Sequence, residues 1–209
     1  MKKKLKKFKS PKNTMLIKNQ KLIILTLIVI AGFLIGSFSL KYPNEQFLSK
    51  SLGIVENLYN QQINQTILAN FIEYFFSEAL FLLIVFLFGL CIIGEPFLWI
   101  IPFIRSLETG LIMSIIYQNF SLKGIVYCIS IIIPSAIVAL STLIIATKES
   151  ILMTKDINAI IKKKNPISSP NIIRLYLERY GILTLGTLLS ALIYAITVQI
   201  FSGKFNFAF

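Results

Sequence analysis

Apolar runs alternate with polar connections along the whole chain, and the runs have the length of membrane spans. Residues 22–40 carry no charge and are long enough to cross a hydrocarbon core of about 30 Å at about 1.5 Å per residue. Further runs follow at residues 79–94, 97–120, 125–146 and 181–201. Gly94, Glu95 and Pro96 separate the second run from the third, because proline sits comfortably just inside the start of a new helix. A tight polar connection at residues 119–124 separates the third from the fourth, and Pro134 interrupts the fourth, which predicts a kink there. The expected fold class is all-α: a polytopic integral membrane helical bundle of about five transmembrane helices.

Two longer connections are polar. In the connection 41–77, Tyr59, Ile63, Ile67, Phe71, Tyr74 and Phe75 recur at helical spacing, while Asn60, Gln61, Asn64 and Gln65 occupy another face. That pattern predicts an amphipathic helix, either lying in the membrane interface or packed on the bundle, that leads into the second span. The connection 147–179 contains Asn165, Pro166, Ile167, Ser168, Ser169 and Pro170, read as a turn between two short polar helices.

Composition sharpens this picture. Of the 209 residues, 56% are hydrophobic and 14% charged, and the mean hydropathy is +0.76; an average globular domain is about one-quarter charged. Soluble-enzyme and disordered classes are excluded. The net charge of +12 is unevenly placed: residues 1–21 hold nine lysines and no acid, and residues 147–179 hold seven basic residues. The positive-inside rule puts both on the cytoplasmic side. The N-terminus is then cytoplasmic, loop 41–77 outside, loop 147–179 cytoplasmic and the C-terminus extracytoplasmic. Residues 1–21 form a basic cytoplasmic tail and 22–209 a single transmembrane domain. The first run is longer than a signal-peptide core and lacks a typical cleavage site, so it reads as an uncleaved helix. A competing topology makes 96–120 a re-entrant hairpin bent between Arg105 and Glu108, but it would put the cationic loop outside.

Candidate chemistry is sparse. Histidine is absent, which removes the usual general base and the commonest metal ligand. Cys91 and Cys128 both lie in apolar runs and form no metal or redox spacing. No catalytic residue, metal or cofactor is expected. Arg105 and Glu108 stand three residues apart near the centre of the third run, on one helical face. Ionisable groups at membrane depth face a bundle interior or a cavity, so with Glu95 they form a candidate intramembrane polar cluster, the competing reading being simple mutual pairing. Gly32 and Gly36 form a GxxxG, and Thr187, Ala191 and Ala195 repeat small residues every fourth position. Such faces allow close helix packing, within the bundle or in a homo-oligomer. Gly94, Pro96, Gly110 and Pro134 are candidate turn or kink positions. The lysine tail is read as contacting anionic membrane lipid rather than nucleic acid, because it abuts a span and lacks interleaved aromatics.

The order of Asn70, Gly89, Gly94, Glu95 and Pro96, then Arg105, Ser106, Leu107, Glu108, Thr109 and Gly110, then Lys123, Gly124 and Pro134, resembles the stage II sporulation protein M family over nearly the whole chain. The resemblance implies a multi-pass protein of the mother-cell membrane at the sporulation septum, acting in engulfment. It implies a scaffold that recruits or holds peptidoglycan hydrolases, the sporulation proteins P and D, and no catalytic residues to carry over. A second reading is a small channel or transporter component with a polar site at Arg105 and Glu108, favoured by the short hydrophobic pieces of 96–120 and by Pro134. A third, an ABC-type permease subunit, lacks a recognisable coupling motif in loop 147–179.

Overall fold

A computed structural model describes residues 11–39, 53, 64–161 and 171–201. Much of the basic tail and of loop 41–77, the turn at 165–170 and the segment after residue 201 lie outside the described residues. The described chain is helical: α1 (Pro11–Phe38), α2 (Ile67–Leu90), α3 (Glu95–Tyr127), a π-helical turn (Cys128–Ile132), α4 (Ile133–Ile161) and α5 (Asn171–Phe201). Four helical stretches are long and apolar enough to cross a membrane: Gln20–Phe38, Ile67–Leu90, Glu95–Ile161 and Ile172–Phe201.

The third stretch doubles back. Ser121 has φ 50° and ψ −126°, close to the first central position of a type II′ turn, where glycine is the usual residue. Three residues later Gly124 lies against the backbone of Ile116 and Tyr117, so close that a Cβ would meet the Ile116 carbonyl oxygen at 2.5 Å. Contact between residues eight apart is impossible along a straight helix, so the chain reverses at Ser121. The polar connection expected over 119–124 is thus a single non-helical residue with helix on both sides.

Other boundaries also differ from the sequence pattern. The second helix starts at Ile67, not at 79, because the Thr66 side chain accepts a hydrogen bond from the Ala69 amide at 3.3 Å and caps it there. The described part of the expected interfacial helix is therefore the first turns of α2. That helix ends at Leu90, and a short turn reaches α3 through the Cys91 amide donating to the Phe88 carbonyl and the Gly94 amide to the Cys91 carbonyl, both at 3.2 Å. Gly94 is required, since a side chain would collide with the Phe88 carbonyl. Helix α3 runs unbroken through Arg105 and Glu108, without the bend of the re-entrant alternative. The two short polar helices expected in 147–179 are instead continuous extensions of α4 and α5. Lys and Glu are good helix formers, so a charged composition did not end the helices.

At Pro134 the irregularity is a π-helical turn immediately upstream, where the Ile133 amide returns to the Cys128 carbonyl. Proline offers no amide to the preceding turn, and such turns absorb the mismatch. Ser135 donates its hydroxyl back to the Ile132 carbonyl at 3.0 Å.

Packing divides into two parts. Helix α1 lies along α3, while α2, α4 and α5 pack against one another. One apolar core gathers Leu25, Val29, Leu82, Val85, Leu98 and Ile151; the other gathers Ile116, Tyr127, Cys128, Ile131 and Val198. Outward-facing Leu27, Leu68, Phe76, Ile137 and Leu185 are all more than half exposed, which suits a surface covered by lipid. At one end of the bundle Lys155 pairs with Glu95 at 3.0 Å, Lys21 lies within electrostatic reach of both, and Asn158 donates to the Ile92 carbonyl at 3.3 Å. At the other end the Tyr117 hydroxyl donates to the Ser37 carbonyl at 2.6 Å.

Candidate functional site

A buried charge cluster occupies the middle of the bundle. Arg105 of α3 extends one terminal nitrogen to Glu78 on α2 and the other to Glu108, one turn ahead on its own helix, at 2.7 Å. Its guanidinium lies 4.9 Å from the centre of the Phe81 ring, a cation–π arrangement. The Glu78 side chain is 3% exposed and that of Glu108 47%. One cation thus serves two carboxylates, of which one is enclosed and one reaches the outer surface.

Hydroxyl and aromatic groups extend the cluster. Tyr74, one turn before Glu78, stacks on Tyr194 of α5 with ring centres 4.2 Å apart, and its hydroxyl has Ser135 and Glu78 within hydrogen-bonding reach. Thr109 donates back to the Arg105 carbonyl at 3.0 Å. Asn70, another turn earlier on α2, is buried. Toward the end marked by Lys21, Glu95 and Lys155, Leu25, Leu82, Val85 and Leu98 share one buried core with Tyr176 and Tyr180.

The residues singled out from sequence are distributed as follows. Arg105 and Glu108 meet; Glu95 does not join them, lying about 15 Å away along α3 at the usual helical rise and pairing with Lys155. Gly32 and Gly36 face α3: a Cβ on Gly32 would meet the Ser106 hydroxyl and the Phe103 carbonyl, and one on Gly36 the Leu107 carbonyl. Gly110 returns the contact against Phe33 and Ser37. The GxxxG face is therefore filled by the chain's own third helix. Thr187, Ala191 and Ala195 are buried, at 3%, 0% and 1% exposure. Gly94 and Pro96 open α3, and Pro134 follows the π-helical turn.

Glu78 was not anticipated. It stands at the boundary between polar loop and apolar run, where an acid looks like part of the loop. The signal available was Asn70, Tyr74 and Glu78 at four-residue spacing, a polar stripe continuing into the span.

A second polar network joins α2, α4 and α5. The Ser150 hydroxyl bonds to those of Tyr176, at 2.8 Å, and Tyr180. Tyr176 also donates to the Phe86 carbonyl at 3.1 Å, and Thr154 donates to the Gly89 carbonyl at 3.0 Å. Gly89 is needed here, since a Cβ would strike the Tyr176 hydroxyl. Just beyond, Glu149 pairs with Arg179 beside a cavity of about 130 Å³ that Asp156 and Leu175 also line.

The sequence model of the family described as stage II sporulation protein M matches residues 24–201. The chain belongs to this family. No curated protein and no solved structure matches it. The match runs from the middle of α1 to the end of α5, so it takes in the second half of α1 and all the other helices of the bundle. The Arg105 cluster, the α1–α3 glycine contact and the Ser150 network all lie within the matched region. The chain is a sporulation-related membrane protein.

Proposed function

We propose that this protein is a non-enzymatic membrane scaffold of the engulfment machinery. It recruits or holds peptidoglycan hydrolases, the sporulation proteins P and D, in the mother-cell membrane at the septum. In this reading it crosses the bilayer five times, with the N-terminus cytoplasmic and the C-terminus outside. The reversal at Ser121 supports that topology, since it divides the 67-residue stretch Glu95–Ile161 into two limbs. Clustering of Lys21, Glu95 and Lys155 at one end supports it further, because odd-numbered helices must begin where even-numbered ones finish.

The observation that carries the scaffold reading is how the buried polar groups are used. Arg105 is held by two carboxylates and a ring face, and the buried hydroxyls of Ser150, Thr154, Tyr176 and Tyr180 bond to one another or to the Phe86, Gly89 and Ala146 carbonyls. A transport path needs polar groups free to meet a solute or water; here the charges brace α2 against α3, and the hydroxyls tie α2, α4 and α5 together. This weighs against the channel or transporter reading, which proteoliposome flux measurements address directly.

The decisive experiment is affinity capture of the tagged protein from membranes of sporulating cells, with loop 41–77 intact or replaced. Hydrolases recovered only with the intact loop are the expected result. Capture of an ATPase or solute-binding protein in their place would overturn the proposal.

A further inference from the structure

Glu108 lies at the centre of the first limb of α3, about 20 Å by helical rise from Glu95 and about 18 Å from Phe120. That is close to the middle of a hydrocarbon core about 30 Å thick. Its side chain is 47% exposed, and it continues an outward stripe formed by Phe97, Ile100 and Ile104, each about half exposed at 47%, 50% and 51%. A carboxylate at this depth is costly against acyl chains and calls for a partner. Arg105 serves it only in part, because the same guanidinium also holds the enclosed Glu78. The cluster thus sets two carboxyl groups against one guanidinium.

The geometry points to this seam as the docking site for a transmembrane helix of a different protein that carries a lysine or arginine at mid-membrane depth. Charge complementarity selects that occupant. A second copy of this chain does not supply the counter-charge: among the described residues, Arg105 is the one cation in the central part of the spans, and it is already committed to two carboxylates. The glycine face that would invite self-association is closed by α1 on α3. The apolar stripe beside Glu108 offers the incoming helix van der Waals contact, and the ion pair fixes its depth, as polar groups do between helices in lipid. The inference rests on the scaffold reading and adds to it a second contact, inside the bilayer, besides loop 41–77.

The test uses the full chain in liposomes with synthetic Leu/Ala transmembrane peptides bearing a central Lys, Leu or Glu, and reads association by energy transfer. The central-Lys peptide is expected to bind about tenfold more tightly than the central-Leu peptide, the scale of one polar contact in lipid. Glu108→Gln should abolish the preference, and Glu95→Gln should leave it unchanged. Ile104→Trp, which narrows the seam and leaves the charges alone, should weaken binding of the central-Lys and central-Leu peptides alike. Equal binding of Lys and Leu peptides by the native chain overturns the proposal. So does a preference that survives Glu108→Gln, or self-association of the chain that depends on Glu108. A positive peptide result combined with failed hydrolase capture would sustain the seam and sink the scaffold assignment; the reverse combination would do the opposite.

Discussion

Arg105 and Glu78, 27 residues apart in sequence, pair inside the bundle and tie α3 to α2. Removing one member of a buried ion pair leaves the other charge stranded, at a cost of about 3–5 kcal/mol. Arg105→Leu should therefore destabilise the protein severely, since it strands Glu78 and strips Glu108 of its partner. The double variant Arg105→Leu with Glu78→Leu should be more stable than Arg105→Leu alone, because the enclosed carboxylate is gone. Thermal unfolding in detergent, run as a double-mutant cycle, reads the coupling. Additive losses would mean that the two residues do not act as a pair.

The ease with which each part of this arrangement could be read from sequence follows from the physics of each signal. Long apolar runs announced α1, α3 and α5 because burial in lipid is imposed residue by residue. Arg105 stood out for the opposite reason, as a charge in an apolar run. Glu78 was hidden by its place at a loop boundary, and only the spacing from Asn70 through Tyr74 connects it to the span. The extents of α4 and α5 were hidden because Lys148, Lys155, Arg174 and Arg179 read as loop, although Ser150, Thr154, Tyr176 and Tyr180 form a buried face beneath them. Which helix would fill the Gly32 and Gly36 face is a long-range matter, and the partner positions Ser106 and Gly110 gain meaning only once the two helices lie side by side.

Ser121 holds a positive φ where no glycine is present. Non-glycine residues in sparsely populated backbone regions cost about 1–3 kcal/mol. Ser121→Gly should relieve this and raise stability by about 1 kcal/mol after the added freedom of the unfolded chain is counted. Ser121→Val, with a β-branched side chain at the same φ, should lower it. Melting temperatures of the three proteins in one detergent decide the matter, and a Gly variant less stable than the native chain would contradict the turn geometry.

Two glycines on different surfaces should respond in opposite directions. At Gly36 any Cβ runs into the Leu107 carbonyl on α3, whereas at Gly181 nothing lies within 4 Å. Gly36→Leu should push α1 from α3 and cost at least about 1–3 kcal/mol, the usual scale of overpacking. Gly181→Ala should be neutral or stabilising by up to about 1 kcal/mol through helix propensity. Parallel unfolding curves of both variants test this, and a well-tolerated leucine at position 36 would show that α1 does not pack through its glycines.

Topology can be tested by side-specific labelling. Ile93 is 77% exposed in the turn between α2 and α3, at the end of the bundle marked by Lys21 and Lys155, whereas Ser121 turns the chain at the opposite end. In a chain carrying Cys91→Ser and Cys128→Ala, a membrane-impermeant maleimide should label Ser121→Cys in intact cells stripped of their wall. It should reach Ile93→Cys only after the membrane is opened. In the proposed topology the lysine-rich N-terminal segment sets this direction through the positive-inside rule, so replacing most of its lysines with Gln should weaken the asymmetry. Labelling of both positions from outside would overturn the five-span arrangement, and exchange of the two patterns would overturn its orientation.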